Sequence, residues 1–178
     1  AVRSGKALYA GLSNYNGEQL EKAVKILTEL KCPFIINQNR YSIFDRTIEQ
    51  NGLKSTAVRL EKGIIAFSPL AQGMLTNRYL NGIPADSRIG HDPRYLKAEM
   101  LTPGLHAAID ELAKIADARG ETLSQLALQW ALRDKAVTSA LIGASRAEQI
   151  TENVAALSLP PLTGEELAQI DAALALNE

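Results

Sequence analysis

Gly63-Ile64-Ile65-Ala66-Phe67 is a short apolar run, rich in residues that favour strands, and Pro69 ends it. It shows no alternation of polar and apolar residues, which is typical of a strand in a parallel sheet that is covered by helices. Phe34-Ile35-Ile36-Asn37-Gln38 is also rich in residues that favour strands. The short apolar run Ala7-Leu8-Tyr9-Ala10-Gly11 precedes it, and residues 138–144 form the fourth predicted strand. The sequence therefore predicts four strands of one parallel sheet.

Helical periodicity fills the intervals between these runs. Asn16 is placed to cap a helix that carries Leu20 and Leu27 on one face, and a weaker helical window covers residues 46–62. Further helices are predicted at 103–119, 124–133 and 146–157, and a last one starts at Thr163. Strand and helix alternate throughout, so each crossover should be right-handed.

Two architectures satisfy this alternation, the doubly wound sheet and the (β/α)8 TIM barrel. The doubly wound sheet usually carries G-x-G-x-x-G after its first strand, and the chain has no such motif. A barrel needs eight strand–helix units and about 250 residues. Four units in a chain of 178 residues therefore predict an α/β fold that is about half of a barrel.

Composition narrows the class of protein. A net charge of −1, 46% hydrophobic and 22% charged residues are typical of one soluble globular domain over residues 1–178 and favour neither nucleic acid nor a membrane as partner. Cys32 is the single cysteine, so a reducing, cytoplasmic setting is expected. The basic N-terminus has no apolar run behind it, unlike a signal peptide, and it reads as if it entered a longer sequence midway.

Within the domain, residues 71–101 are predicted to form a long loop, because glycines and prolines interrupt every periodic pattern there.

The residues that follow each predicted strand carry the function. Ligands of parallel barrels meet the carboxyl ends of the strands and the loops after them. The four motifs at these ends are GLSNYN (11–16), INQNRY (36–41), AFSPLAQGMLTNRYLNG (66–82) with DSR (86–88) after it, and LIGASRAEQITENVAAL (141–157). Together, and in this order, they resemble the aldo-keto reductases over the whole chain, in the part that forms strands five to eight of that barrel. The similarity is greatest to the bacterial reductases of L-glyceraldehyde 3-phosphate and next greatest to the potassium-channel β subunits of the same superfamily.

The resemblance implies an NADPH site. Ser13, Asn14 and Gln38 would hydrogen-bond the nicotinamide carboxamide, and Phe67 would stack on the ring. The residues that would line the pyrophosphate path are Ser68, Leu70 and Gly73, with Arg78 and Arg88 as phosphate-binding cations. The residues that would bind the adenosine end are Ser145, Arg146, Gln149, Glu152 and Asn153. NADPH is favoured over NADH because a guanidinium at a helix N-terminus suits the additional 2′-phosphate.

The catalytic residues of this family lie in the first half of the barrel. They are an Asp, a Tyr, a Lys and a His, and none of them can be carried over to this chain, which also offers no metal ligands. The chain alone is therefore expected to be inactive and to need the N-terminal half of the barrel as its partner, either in the same polypeptide or as a separate piece. A homo-oligomer that completes eight strands is a further alternative.

The expected reaction is the reduction of aldehydes or ketones, including small or phosphorylated aldehydes, by hydride transfer from NADPH. A cofactor-sensing regulatory subunit like the channel β subunits remains the alternative function. Each site residue also has a plainer interpretation: a turn at Ser13 and Asn14, a buried polar pair or core aromatic at Gln38 and Tyr41, a core side chain at Phe67. A solvated ion pair of Arg146 with Glu148 or Glu152 is the equivalent alternative on the last motif.

Overall fold

The computed structural model describes residues 1–77 and 102–177. The chain divides into two compact units. The first unit comprises Ala1–Ser68 and Ala131–Leu141, and the second comprises Pro69–Trp130 and Ile142–Glu178. In the predicted loop 71–101, only residues 71–77 belong to the described part of the chain.

A parallel sheet of four strands forms the centre of the first unit. Its strands are β1 (Ala10–Ser13), β2 (Phe34–Arg40), β3 (Gly63–Phe67) and β4 (Val137–Leu141). Each strand pairs in parallel with the next one in the chain, in the order β1-β2-β3-β4. The prediction of an α/β fold with one parallel sheet is confirmed, and the sequential strand order is consistent with a barrel.

The first strand begins three residues later than predicted. The sheet pairing starts where the Ala10 N–H donates to the carbonyl of Pro33, at 2.8 Å. Leu8, which the sequence assigned to the strand, is 82% exposed. An apolar run favours a strand but does not determine where backbone pairing starts, which here depends on the position of β2.

The two faces of the sheet differ in burial. Asn37 pairs with Ile64 and Asn39 with Ala66, and all four are buried. Gln38, Arg40, Ile65 and Phe67 alternate with them on the opposite face and are half-buried or exposed. One face of the sheet is therefore buried, and the opposite face, which carries Gln38, Arg40 and Phe67, keeps access to solvent in this chain.

Helix α1 (Gly17–Glu29) begins at the predicted cap. The Asn16 side chain accepts from the Gln19 N–H at 2.9 Å, and the Gln19 side chain accepts in return from the Asn16 N–H at 3.0 Å. The single helix predicted at 46–62 is instead two short ones, α2 (Thr47–Gln50) and α3 (Leu53–Arg59). Gly52 separates them with φ 77°, a left-handed conformation that interrupts a right-handed helix.

The second unit is helical. Its helices are α4 (Pro103–Ala118), α5 (Leu123–Leu132, whose last two residues belong to the first unit), α6 (Ala147–Ala155) and α7 (Gly164–Leu174). Single 3-10 turns lie at Ala71–Gly73, Ala156–Ser158 and Ala175–Asn177. The predicted capping box of α5 is confirmed, because Thr122 and Gln125 exchange hydrogen bonds of 3.0 and 3.3 Å. Arg119 at the end of α4 pairs with Glu166 of α7 at 2.6 Å.

Within residues 1–77 and 102–177, no helix combines the length and the apolar character that crossing a membrane requires. The same residues contain no group of three or more His, Cys, Asp or Glu side chains that could hold a metal ion.

The start of α1 provides a stability prediction. A Cβ at Gly17 would lie 2.6 Å from the Gly52 carbonyl oxygen, a backbone atom that cannot rotate away. We expect Gly17→Ala to lower the free energy of unfolding by about 1–3 kcal/mol, as overpacking does. Gly164→Ala is the matched control, because Gly164 also opens a helix but has no atom within 4 Å of its added Cβ. Equal thermal midpoints for the two variants would show that the contact between α1 and Gly52 is not as tight as described.

Candidate functional site

The ends of β1 and β2 bring three predicted site residues together. The Ser13 hydroxyl donates to the Gln38 backbone carbonyl at 3.1 Å, and the Asn14 N–H donates to the same oxygen at 2.9 Å. Asn14 has φ 58°, a left-handed conformation that asparagine tolerates better than most residues. Since the Ser13 proton is directed to the protein, its hydroxyl offers a ligand only lone pairs. The exposed Asn14 amide and the half-buried Gln38 amide provide the donors.

The end of β3 places Phe67 beside β2. Phe67 pairs with Arg40 in the sheet register, and its carbonyl accepts from the Tyr41 N–H at 3.3 Å. The Arg40 guanidinium carbon lies 5.9 Å from the centre of the Phe67 ring. Ser68 follows with φ 53°, an uncommon conformation for a residue other than glycine and one that occurs often at functional sites.

The sequence analysis did not identify Arg40 as a site residue. Its position in the chain contains a usable signal, because it follows Gln38 by two residues in the same strand and therefore lies on the same face of the sheet. The contact with Phe67 depends on the register in which β2 pairs with β3, and the sequence analysis did not predict that register.

A buried ionic cluster lies next to the end of β2. Tyr41 is fully buried and donates its hydroxyl hydrogen to Glu49, while Arg133 bonds both groups, at 2.8 Å to the Tyr41 oxygen and 2.6 Å to the Glu49 carboxylate. Arg46 and Lys54 complete the pairing of Glu49, at 2.7 and 3.4 Å. These five residues are called the Tyr41 cluster below. The burial of Tyr41 agrees with the plainer interpretation of that residue as a core aromatic.

The Tyr41 cluster shifts the pKa of two of its members. Burial and the hydrogen bond to Glu49 raise the pKa of Tyr41 far above its usual value. Burial by itself would raise the pKa of Glu49, but hydrogen bonds from Tyr41, Arg46 and Arg133 outweigh it and lower the pKa to about 2. The cluster therefore holds a carboxylate and a neutral phenol at neutral pH, and it secures the strand that carries Gln38 and Arg40.

In the second unit, the residues after Pro69 form a compact turn. Leu70 has φ −92° and ψ 17°, and Ala71, Gln72 and Gly73 follow with φ of 46°, 60° and 101°. The Gly73 and Leu75 N–H groups both donate to the Leu70 carbonyl, at 2.8 and 3.2 Å. A residue of negative φ followed by left-handed ones is the backbone pattern of many anion-binding turns, although here the Gly73 N–H is directed to the Leu70 carbonyl within the turn.

Gln72 is a second residue that the sequence analysis missed. Its side-chain oxygen is buried and has no hydrogen-bond partner among the residues that the structure describes. A buried acceptor without a partner is unfavourable, so the position is better suited to a state in which a donor reaches it.

The start of α6 carries the predicted adenosine end. The Gln149 side-chain oxygen accepts from the Ser145 N–H at 2.8 Å and from the Arg146 N–H at 3.3 Å, which caps the helix. Arg146 is exposed at the N-cap position. No ion pair joins it to Glu148, to Glu152 or to any other acidic residue in the described ranges, so the alternative of a solvated ion pair gains no support from the structure.

Along α6, Asn153 and Glu152 face different environments. Asn153 is 7% exposed, whereas the Glu152 side chain is exposed and its backbone carbonyl accepts from Gln125 at 3.1 Å. Arg146 precedes the helix with an extended backbone, at φ −143° and ψ 150°, so it does not share the helical spacing of Asn153.

The predicted site residues are therefore distributed over both units. The first unit contains Ser13, Asn14, Gln38, Phe67 and Ser68; the second contains Leu70, Gly73, Ser145, Arg146, Gln149, Glu152 and Asn153. Arg78 and Arg88 lie outside the described residues.

Comparison with known proteins adds the family. The model of the aldo/keto reductase family matches residues 1–175. The chain is 48% identical, over its whole length, to the L-glyceraldehyde 3-phosphate reductases of Escherichia coli O157:H7 and Escherichia coli K12, and the match covers 52% of each of those proteins. It is 35% identical, over 96% of its length, to the putative voltage-gated potassium channel subunit beta of Schizosaccharomyces pombe, of which the match covers 51%. The chain thus spans about half the length of these relatives. The motifs at the four strand ends, the parallel sheet and the match over residues 1–175 lead to one conclusion: the chain belongs to the aldo/keto reductase family.

Proposed function

We propose that this chain is the cofactor-binding half of an NADPH-dependent reductase that reduces aldehydes or ketones by hydride transfer. The observation that carries the proposal is the convergence of Ser13 and Asn14 on Gln38, where β1 and β2 end side by side. Carboxyl ends of parallel strands are where barrels of this kind place their ligands. The reductases that share 48% identity with the chain act on L-glyceraldehyde 3-phosphate by their names, so a small phosphorylated aldehyde is the proposed substrate class.

The residues in the first unit fit the nicotinamide end of the cofactor. When bound, NADPH supplies the hydride. Asn14 and Gln38 offer neutral amide groups to its carboxamide, and Ser13 offers an acceptor. Neutral groups suit this task because the nicotinamide ring is charged when oxidised and neutral when reduced. Phe67 supplies an aromatic face for stacking, beside the left-handed Ser68.

The residues in the second unit fit the phosphates and the adenosine. The turn from Leu70 to Gly73 has the backbone pattern of anion-binding turns. The Gln72 side-chain oxygen, which has no hydrogen-bond partner among the described residues, is an acceptor available to a cofactor hydroxyl. Arg146, exposed at the start of α6, fits the 2′-phosphate, with Ser145 and Gln149 beside it and Glu152 and Asn153 towards the adenine. Arg78 and Arg88 are proposed as further phosphate ligands.

We further propose that the chain supplies strands five to eight of the barrel. Its four parallel strands pair only in sequence order, and the chain spans about half the length of its curated relatives. The Asp, Tyr, Lys and His of the reaction would then belong to the N-terminal half of the barrel, which leaves this chain inactive by itself. The setting proposed for the assembled reductase is the cytoplasm.

Fluorescence titration tests the cofactor proposal. We expect NADPH to bind the chain and Gln38→Ala to weaken binding by about tenfold, which corresponds to the loss of roughly one hydrogen bond of 1–1.5 kcal/mol. Gln50→Ala is the matched control, because Gln50 is an exposed glutamine at the end of α2 in the same unit. Equal affinities of the two variants would remove Gln38 from the site, and no binding by the unmodified chain would refute the proposed function.

Turnover separates the two candidate functions. Adding the N-terminal half of a related reductase to the chain should restore NADPH oxidation in the presence of small aldehydes, whereas the chain alone should show none. The similarity to a putative potassium channel subunit beta favours a cofactor-binding regulatory subunit as the second candidate. Tight NADPH binding without turnover of any aldehyde in the reconstituted protein would support that alternative.

A further inference from the structure

Arg40 lies over the ring of Phe67, the side chain that is proposed to stack on the nicotinamide. The two residues are partners in the β2–β3 register and lie on the face of the sheet that is accessible to solvent. The guanidinium carbon is 5.9 Å from the ring centre, within the range of a cation–π contact. The Arg40 side chain is 53% exposed, and its ion pair with Asp45 is long, at 3.9 Å between Nε and Oδ2. Its positive charge is therefore only partly compensated.

A cation at this position distinguishes the two oxidation states of nicotinamide. The oxidised ring carries a positive charge, while the reduced ring is neutral. A positive ring stacked on Phe67 would be attracted by the aromatic face but repelled by the guanidinium that already interacts with it. The neutral ring experiences neither effect to the same degree.

We propose that Arg40 sets the redox preference of the site, by weakening the binding of NADP⁺ relative to NADPH through its charge beside Phe67. This proposal rests on the proposed function, because it requires the nicotinamide to stack on Phe67. Arg40 acts through Phe67 and is a positioning residue, with no part in proton transfer. Its consequence for the cycle is a lower affinity for the oxidised cofactor after hydride transfer, which favours release of the product form.

Two opposite substitutions test the proposal by the ratio of two dissociation constants. Dissociation constants of NADPH and NADP⁺ would be measured by calorimetric titration for the unmodified chain, Arg40→Gln, Arg40→Lys and Asp45→Asn. Arg40→Gln should lower the dissociation constant of NADP⁺ by about three- to tenfold and change that of NADPH by less than about twofold. The first change is the scale of one like-charge interaction near a protein surface. Asp45→Asn should shift the ratio the other way, because it removes the carboxylate that partly neutralises Arg40.

Arg40→Lys is the charge-conserving control and should keep the ratio of the unmodified chain. The shift in Arg40→Gln should also decrease at high salt, because Arg40 is about half exposed and its charge is open to screening. An unchanged ratio of the two dissociation constants in Arg40→Gln would overturn the proposal. If both constants changed by the same factor, Arg40 would contact the phosphates that both forms carry. Failure of the unmodified chain to bind either form would instead refute the proposed function itself.

Discussion

Replacing Arg146 with glutamine should weaken NADPH binding by about 30- to 100-fold, the equivalent of one charge-assisted contact of roughly 2–3 kcal/mol. The effect follows from three features: the residue occupies the N-cap position of α6, its side chain is exposed, and no acidic residue in the described ranges pairs with it. A phosphate at this position meets both a guanidinium and the positive end of a helix. NADH lacks that phosphate, so its dissociation constant should change by less than about threefold.

Parallel titrations with NADPH and NADH measure this prediction. Arg146→Lys should give an intermediate loss, because lysine keeps the charge but cannot bind a phosphate in bidentate fashion. Arg59→Gln is the matched control, since Arg59 is also a partly exposed helical arginine, paired with Glu21 at 3.1 Å on the surface of the first unit. Equal losses for the two dinucleotides would place the 2′-phosphate elsewhere and would leave the NADPH preference without its main support.

Replacing Glu49 with glutamine should lower the free energy of unfolding by about 3 kcal/mol near pH 7. The pKa of Glu49 is lowered from 4.5 to about 2 in the folded chain. A shift of this size corresponds to about 1.4 kcal/mol per unit, or roughly 3 kcal/mol in total. The substitution also removes the carboxylate that Arg46, Lys54 and Arg133 share, although Lys54 keeps its ion pair with Asp134 at 2.6 Å.

The pH dependence gives the same prediction a second measurement. Because the folded pKa is the lower one, this stabilisation is present above about pH 4.5 and is lost as the pH falls towards about 2. Urea denaturation at pH 7, 5, 4 and 3 should show a stability that falls less steeply with acid in Glu49→Gln than in the unmodified chain. Glu18→Gln is the control, because its ion pair with Lys22 is exposed and surface pairs contribute little. An acid dependence that Glu49→Gln leaves unchanged would show that the Tyr41 cluster does not hold this carboxylate ionised.

The order of strands and helices could be predicted because its signals are local. The caps of α1 and α5 depend on side chains three residues apart, and continuous apolar residues form β3 and the start of β2. The prediction of one helix at 46–62 was wrong because Gly52 is left-handed. A glycine is also a local signal, but a weaker one, since it interrupts a helix only when its backbone adopts that conformation. The predicted start of β1 was wrong because pairing is a property of two strands, and the apolar residues before Ala10 have no partner in β2.

The residues of the candidate site likewise include some that the sequence predicted and some that it missed. Ser13, Asn14 and Gln38 were found because each follows or ends a predicted strand, and parallel strands bring such ends to one edge of a sheet. Arg40 and Gln72 were missed, since one is defined by its contact across the sheet and the other by an acceptor left without a partner. Neither property can be read from residue type.

Residue types and spacing alone led to the α/β class, the capped helices and the family resemblance, because propensity, capping and motif order act over a few neighbouring positions. Folding in three dimensions decided that one face of the sheet keeps access to solvent, that Arg40 lies over Phe67, and that Glu49 binds Arg133, 84 positions away. The physical reason is that hydrogen bonding, burial and charge depend on distance in space, and the closing of long loops brings together groups whose separation in the chain gives no sign of it.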